Sequence, residues 1–270
     1  MKTASKIYTG LIFFFLYAPI LVLIIFSFNS SNSTGVFTGF SLRWYKELLN
    51  DHETRTALIN TLILAVTSSL ISTVIGTMAA VGIHNMKKGF AKSSLMTVTN
   101  IPMMNPEIVT GVSMMLLFVF VAKLVGIQGV LGFWTLLIAH VTFNLPYVLL
   151  SVMPRFNQLD RSLSEAAQDL GCTPARAFFT VELPQIVPGI ISGLMLGFTM
   201  SLDDFVISHF LSSPNFQTLP LYVYNQTAHN VKFSMYALCS LIVFVILAIL
   251  LVVNFSGSAK RPTKKKGAVK

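Results

Sequence analysis

The sequence predicts an all-α membrane protein with six transmembrane helices. Of its 270 residues, 54% are hydrophobic and only 11% are charged, and the apolar residues form long blocks rather than the spaced pattern of a water-soluble core. Because a membrane-spanning helix needs about 20 apolar residues, these blocks predict six spans within a single transmembrane domain, residues 1–270. The spans are expected near residues 8–28, 57–83, 102–122, 130–153, 186–208 and 235–255.

The positively charged residues predict which side of the membrane each loop faces. With both termini in the cytoplasm, fourteen lysines and arginines fall in cytoplasmic segments and five fall outside. This excess follows the positive-inside rule and predicts that the N- and C-termini are cytoplasmic. The net charge of +9 and the basic tail, residues 256–270, then favour anionic lipid over nucleic acid as the partner. The five cations predicted outside are Arg43, Lys46, Arg55, Lys123 and Lys232.

The first span and the loop after it are predicted to anchor the chain and to meet the outer membrane surface. The first apolar block follows Lys2 and Lys6, as in a signal peptide, but it lacks a small-residue cleavage site and is expected to remain as an anchor. The amphipathic stretch 42–49 carries Trp44 and Tyr45. Because such rings favour the headgroup layer, a short helix lying on the outer surface is expected there.

The second and third spans differ in the residues that they place inside the membrane. The second span is rich in serine and threonine and contains Gly76, so it is expected at the centre of the bundle, where small residues let helices approach closely. The third span is expected to break, because Pro102 and Pro106 remove backbone hydrogen bonds that lipid cannot replace. Pro106 would start a half-helix with Glu107 in its first turn. Glu107 is a candidate for capping that helix or for contacting substrate.

Polar residues in the fourth and fifth spans are candidates for a transport pathway. Asp203 and Asp204 lie about 25 Å along the fifth span, near the outer edge of the hydrocarbon, where a carboxylate usually marks a pathway or an ion pair. Adjacent helical residues point about 100° apart, so at most one of the two can face a pore directly. The alternative is a helix-end acid that reaches interfacial water or a lysine on another subunit. His140 and Asn144 in the fourth span are expected to make helix–helix hydrogen bonds.

The polar segment between the fourth and fifth spans, residues 155–184, is predicted to be a cytoplasmic hairpin of two short helices. Ser162 and Glu165 are expected to form a capping box at the start of the first helix. Gly171 lies where a helix end needs a left-handed residue. A second helix is expected over residues 174–181, with a proline at its first position.

This hairpin resembles a coupling element known from one family of transporters. Glu165, Ala166 and Ala167, then Gly171 and Phe178, resemble the EAA loop of permease subunits of binding-protein-dependent ABC importers. In that family the loop docks into a cleft on a cytosolic ATPase and passes the closure of the ATPase to the membrane helices. The resemblance implies the type I ABC importer permease fold, a place in the bacterial inner membrane, and a coupling role for these five residues. The alternative is an ordinary hairpin that joins two spans.

The end of the fifth span extends the resemblance to a narrower group. Residues 201–208, Ser-Leu-Asp-Asp-Phe-Val-Ile-Ser, resemble the spermidine/putrescine permeases of this family. The resemblance implies inward translocation of polyamines by alternating access. It also implies a second related permease, a cytosolic ATPase dimer and a periplasmic polyamine-binding protein as partners. For such a cargo, the candidate contacts are Asp203, Asp204, Tyr222 and Tyr224, because carboxylates and aromatic faces attract cations.

Several chemistries are excluded by motifs that the chain lacks. The glycine-rich loop that cradles ATP phosphates is missing, so the chain is expected to bind no cofactor itself, and ATP and Mg²⁺ are expected to be used by the partner ATPase. The five histidines show no metal-ligand spacing, and no motif for nucleophilic catalysis occurs, so an intramembrane enzyme is disfavoured. Two alternatives remain: an ABC importer permease for another small solute, and an ion-driven secondary transporter, which also uses a broken helix and membrane acids.

Overall fold

The computed structural model describes residues 2–31, 36–87, 89–229 and 232–258, and the regular secondary structure in these ranges is helical. Lys88 and most of the predicted basic tail, from residue 259 onwards, lie outside the described residues. The helices are α1 (Lys2–Ser27), α2 (Arg43–Asn50), α3 (His52–Asn85), α4 (Phe90–Met104), α5 (Glu107–Val125), α6 (Phe133–Gln158), α7 (Arg161–Asp169), α8 (Pro174–Ala177), a π-helix (Phe178–Glu182), α9 (Leu183–Asp203), α10 (Val206–Leu211), α11 (Leu219–His229) and α12 (Phe233–Ser258).

Five helical segments of the described residues are long and apolar enough to cross a membrane. They are α1, α3, α5, α6 and the segment Pro174–Asp203, in which α8, the π-helix and α9 run on without a gap. A sixth helix, α12, is apolar over Phe233–Leu247 and continues to Ser258. The predicted all-α membrane fold is therefore confirmed.

The described residues fall into two compact units, one from those up to residue 52 together with those from residue 225 onwards, and one from those between 53 and 224. In the first unit, α12 packs against α1 and α2. The second unit contains two apolar cores, one around Val148 and Phe156 and the other around Leu136 and Ile207. Both candidate sites identified from the sequence lie in the second unit.

Helix α2 is held by other protein segments through the polar atoms of its aromatic residues. Trp44 is buried, and its indole Nε1 donates a hydrogen bond to the carbonyl oxygen of Asn29 at 2.6 Å. The Tyr45 hydroxyl lies 2.8 Å from Ser27 Oγ and 2.7 Å from Ser240 Oγ, which belong to α1 and α12. The short helix expected over this stretch is therefore present, and the polar atoms of both rings are satisfied inside the first unit, while their place in the headgroup layer stays a prediction.

Close packing of α6 against α9 depends on a glycine at every fourth position of α9. Gly189, Gly193 and Gly197 are all buried. A Cβ atom added at Gly189 would lie 2.9 Å from the carbonyl oxygen of Ser151, whereas one added at Gly197 would make an ordinary contact of 3.5 Å with Asn144. The two backbones therefore approach most tightly at the Gly189 end of this row.

This gradient predicts different effects for two alanine substitutions. Gly189→Ala forces α6 and α9 apart and should destabilise the protein by about 1–3 kcal/mol, the usual range for an overpacked site. Gly197→Ala serves as the matched control and should change the stability little. Thermal unfolding of the purified protein in detergent measures the difference. Equal melting temperatures for the two variants would contradict this account of the α6–α9 contact.

Two breaks interrupt the apolar helices of the second unit. The predicted break in the third span is present, because Asn105 and Pro106 have extended backbone between α4 and α5, with ψ of 141° and 132°. A second break lies between α9 and α10, where Asp204 has ψ of 119°. The span expected over 186–208 is thus divided, and Asp203 becomes the last residue of α9.

Candidate coupling hairpin and substrate pathway

The first helix of the hairpin, α7, is capped by Asp160. Its Oδ1 atom accepts a hydrogen bond from the backbone N–H of Ser162 at 3.0 Å. Hydrogen bonds from the side chain and backbone of Ser162 lower the pKa of the Asp160 carboxyl below its usual value. The cap is therefore retained down to acidic pH and is lost only as the pH falls through that lowered pKa. The predicted capping box of Ser162 and Glu165 is wrong, because α7 begins at Arg161 and Asp160 occupies the N-cap position.

The turn between α7 and α8 has the left-handed glycine that the sequence predicts. Gly171 has φ of +89°. Its N–H donates to the carbonyl oxygen of Gln168 at 2.9 Å, and the N–H of Cys172 donates to that of Ala167 at 3.1 Å. This pair of bonds is a Schellman motif. Since no atom lies within 4 Å of a Cβ added at Gly171, the requirement for glycine comes from the backbone conformation alone.

The second helix of the hairpin does not end near residue 181, as expected, but continues into the membrane span. The π-helix Phe178–Glu182 joins α8 to α9, so that one helical segment runs from Pro174 to Asp203. Phe178 packs against the apolar core around Val148. In addition, Ser164 Oγ of α7 donates to Glu182 Oε1 of the π-helix at 2.7 Å. Both helices of the hairpin are therefore attached to the segment that becomes the span.

One face of the hairpin is exposed and apolar. Glu165, Ala166 and Gly171 are exposed and Ala167 is half-buried. Leu163 and Leu170 are 49% and 88% exposed; with Ala166 they recur at the three- and four-residue spacing of one helical face. The structure thus brings the predicted coupling residues of α7 and the turn together on an accessible surface, with Phe178 at its base.

The two neighbouring aspartates at the break have different surroundings. Asp204 is buried, and its Oδ1 and Oδ2 atoms accept hydrogen bonds from the backbone N–H groups of Ile207 at 3.2 Å and Ser208 at 2.8 Å. Its Oδ2 atom also lies 3.4 Å from Nε2 of His140. Asp203, by contrast, is exposed. The aspartate that is available to a passing molecule is therefore Asp203, whereas Asp204 caps α10.

Aromatic rings lie next to the break between α9 and α10. The ring of Phe205 lies 4.5 Å from that of Tyr224 and 5.5 Å from that of His209, with centroid distances in both cases. Tyr224 is 48% exposed and His209 is exposed. We call Phe205, His209 and Tyr224 the aromatic cluster. Sequence reasoning named Tyr224 as a pathway candidate but not Phe205 or His209, although these two lie four residues apart, a spacing that places residues on one face of a helix.

The remaining candidate pathway residues lie elsewhere in the second unit. Tyr222 is buried, and its hydroxyl donates to Glu53 Oε2 at 3.5 Å. Glu107 is exposed in the first turn of α5, where a carboxylate interacts favourably with the helix dipole. Tyr222 is therefore bonded within the protein, while Glu107 is open to a cation or to solvent.

Beneath Asp204 lies a buried polar network that joins α3, α6 and α9. Its centre is Ser201 Oγ, which accepts a hydrogen bond from Asn144 Nδ2 at 2.9 Å and lies 3.1 Å from His140 Nδ1 and 2.9 Å from Ser68 Oγ. These four residues are 0–1% exposed. The predicted helix–helix hydrogen bonds of His140 and Asn144 are therefore confirmed.

Comparisons with known proteins identify the family. Residues 72–259 match the family described as the binding-protein-dependent transport system inner membrane component. The chain belongs to this family. As such an inner membrane component, it is a multi-pass transport subunit of the bacterial inner membrane. The resemblance drawn from the hairpin motif is thereby confirmed, while the orientation of the termini stays a prediction.

Named relatives and solved structures agree with this family. The chain is 42% identical over 230 residues to the putrescine transport system permease protein PotI of Escherichia coli K12, covering 85% of this chain and 82% of that protein. It is 36% identical over 259 residues to the spermidine/putrescine transport system permease protein PotC of Shigella flexneri, covering 95% and 94%. A chain of a bacterial alginate ABC transporter, crystallised with an alginate-bound periplasmic protein, aligns with a TM-score of 0.73 at 18% identity over 98% of this chain and 96% of that one. This last match confirms the importer permease fold of the inner membrane component.

Proposed function

We propose that the chain is a permease subunit of an ATP-driven ABC importer that carries polyamines inward by alternating access. The observation that carries this proposal is the exposed carboxylate of Asp203 at a helix break, two residues from the aromatic cluster. Similarity to the PotI and PotC permeases supports the same cargo. The proposed partners are a second related permease, a cytosolic ATPase dimer and a periplasmic polyamine-binding protein.

The proposed cargo site uses weak, repeated attractions. A protonated amine is attracted by a carboxylate and by the face of an aromatic ring, and at exposed positions each such contact contributes only about 0.5–1 kcal/mol. Asp203 and Tyr224 offer these two kinds of contact on an accessible surface. A site of this strength attracts a polycation without retaining it, which transport requires. Glu107 is proposed as a further carboxylate along the route. Asp204 and Tyr222 are buried and are proposed to support the surface without contacting the cargo.

The proposed energy coupling runs along one helical segment. The exposed face around Glu165, Ala166 and Gly171 is proposed to enter a cleft of the ATPase. Movement of α7 then reaches the π-helix through the Ser164–Glu182 hydrogen bond. From there the segment Pro174–Asp203 is 30 residues long, or about 45 Å at the rise of an α-helix. Its far end is Asp203, so displacement of the hairpin moves the proposed cargo contact directly.

In this proposal the chain binds no cofactor of its own. ATP and Mg²⁺ are held by the partner ATPase, where hydrolysis supplies the free energy for transport. The residues of this chain bind the cargo weakly, close the pathway to one side of the membrane at a time, and transmit movement from the hairpin. This division of labour corresponds to a rigid-body switch between an inward-open and an outward-open state.

Uptake by living cells tests the proposed cargo. Cells that lack only this gene should lose accumulation of radiolabelled spermidine and putrescine, and a plasmid copy of the gene should restore it. Accumulation of a labelled amino acid, measured in the same cells, controls for general loss of membrane energy. Unchanged polyamine accumulation in the deletion strain, under conditions in which the gene is expressed, would refute the cargo assignment.

A further inference from the structure

We infer that His140 is a positioning residue, which holds the Asp204 break in place and thereby sets the geometry of the Asp203 surface without touching cargo. The inference rests on the proposed function for the nature of the cargo. His140 is 0% exposed, so any effect that it has on recognition must act through a neighbour. That neighbour is Asp204, whose Oδ2 atom lies 3.4 Å from Nε2 of the imidazole.

The hydrogen-bond network favours one arrangement of protons around His140. Ser201 has one hydroxyl proton, and one of its lone pairs accepts from Asn144 Nδ2. If Ser201 donates its proton to His140 Nδ1, at 3.1 Å, then the ring proton is on Nε2, the imidazole nitrogen that lies near Asp204. Ser68 can donate to the remaining lone pair of Ser201, at 2.9 Å. The opposite tautomer would place an unprotonated nitrogen against a buried carboxylate, which is unfavourable.

This arrangement explains how Asp204 keeps an extended backbone between the apolar helices α9 and α10. Asp204 faces three donors: the N–H groups of Ile207 and Ser208 and the imidazole of His140. The two backbone bonds compete with continuation of the helix. At a separation of 3.4 Å, Nε2 of His140 forms no hydrogen bond with Asp204, but the charge on the carboxylate attracts a nearby N–H dipole at that distance.

The break at Asp204 determines how Asp203 and the aromatic cluster are arranged on the surface. Because Asp204 is extended, α9 ends with Asp203 exposed, and Phe205, the residue before α10, packs against Tyr224. If the chain continued as one helix, each residue after Asp204 would turn by about 100° relative to the one before it, and the spacing between Asp203 and the aromatic cluster would change. The imidazole thus supports, from inside the bundle, the arrangement of the groups that are proposed to meet the cargo.

Two substitutions of similar size separate positioning from simple packing. The amide of glutamine reaches the position of Nε2, so His140→Gln keeps a donor towards Asp204. The shorter amide of asparagine reaches only the position of Nδ1, so His140→Asn keeps the bond to Ser201 and loses the contact with Asp204. Both variants retain a polar side chain in the network, and their difference isolates the contact with the carboxylate.

The first measurement is spermidine uptake into vesicles that contain the complete importer with its ATPase and binding protein. We expect His140→Asn to raise the KM about tenfold, which corresponds to about 1.4 kcal/mol, and to leave the maximal rate within about twofold. His140→Gln should restore a KM close to that of the unsubstituted protein. A lowered maximal rate with unchanged KM in the asparagine variant, or the same KM in both variants, would overturn the inference. Failure of both variants to assemble would also overturn the inference, because it would show that the buried polar network is needed for folding rather than for positioning.

The second measurement does not depend on the identity of the cargo. In a chain whose Cys172 and Cys239 are replaced by alanine, Phe205→Cys places a thiol directly after the break. The rate of maleimide labelling of this thiol in lipid nanodiscs should change about fivefold or more with His140→Asn, as expected for a shift of about 1 kcal/mol in the local conformation, and little with His140→Gln. Equal labelling rates would contradict positioning. If the unsubstituted importer takes up no polyamine, the proposed function fails, and the labelling alone decides the inference.

Discussion

Replacement of Gly171 by valine should stop transport while ATP hydrolysis continues. The residue has φ of +89°, a conformation that costs an L-amino acid about 1–2 kcal/mol and a β-branched residue more. Because nothing lies within 4 Å of the added Cβ, the substitution acts on the backbone alone, breaks the Schellman motif and redirects α7 relative to α8. We expect the amount of cargo moved per ATP hydrolysed in reconstituted vesicles to fall about tenfold or more.

Two matched variants test whether this effect belongs to the hairpin. Gly126, in the loop between α5 and α6, has φ of +77° and equally open surroundings, so Gly126→Val imposes the same backbone strain far from the hairpin in sequence and should leave the coupling ratio unchanged. Gly171→Asn should retain most coupling, because asparagine tolerates the left-handed region. If Gly171→Val moves a normal amount of cargo per ATP hydrolysed while the complex stays intact, the hairpin does not transmit the movement of the ATPase.

Reversing the charge at Asp203 should nearly abolish polyamine uptake. Asp203→Lys replaces an attractive charge by a repulsive one at the end of α9, and its interaction with a nearby ammonium group changes by more than 1 kcal/mol even in a well-solvated site. We therefore expect the KM for spermidine to rise about tenfold or more. Asp203→Asn should have a smaller effect of about two- to fivefold, in keeping with an exposed charge pair.

The controls for this prediction use charge rather than shape. Asp203→Glu keeps the carboxylate and should retain uptake. The effect of Asp203→Lys should be larger for spermidine than for putrescine, because spermidine carries one more positive charge. Initial rates of labelled uptake, measured at several concentrations of each polyamine, provide the comparison. Equal KM values in the lysine and glutamate variants would remove Asp203 from the proposed pathway.

Local patterns in the sequence predicted much of the fold and one essential detail of the hairpin. Long uncharged blocks indicated the spanning helices, because lipid selects for them directly. The pair of prolines at 102 and 106 indicated the break between α4 and α5. The position of Gly171 indicated a left-handed turn, since few other residues adopt that conformation readily. In each case a single physical requirement acts on residues that are adjacent in the chain.

The features that were missed depend on contacts between distant residues. Residues 201–208 read as one apolar helix, and the break at Asp204 arises from a side chain that competes for the backbone N–H groups of α10. The helix expected over residues 174–181 and the span expected from residue 186 were predicted as separate helices. The structure instead joins them through a π-helix just before Pro184, and such a turn lets a helix adjust its hydrogen bonding near a proline. Burial of Trp44 likewise requires α12, nearly 200 positions later in the chain.

The exposure of the two aspartates could be predicted only in part. Helical geometry allowed one of Asp203 and Asp204 to face a pathway, but which one depends on the break between α9 and α10. The partner of Asp204, His140, lies more than 60 residues earlier. Sequence spacing placed His140 and Asn144 on one face of a helix. Their shared partner, Ser201, could be identified only from the packing of α6 against α9.

Reconstitution of the purified proteins tests most directly whether this chain is moved by an ATP-hydrolysing partner. In vesicles that contain the chain together with its partner permease, ATPase and binding protein, labelled spermidine should accumulate against its gradient only when ATP and Mg²⁺ are supplied. Vesicles that contain the chain alone should accumulate none, with or without an imposed ion gradient. Uphill accumulation by the chain alone would contradict the account and would favour a secondary transporter.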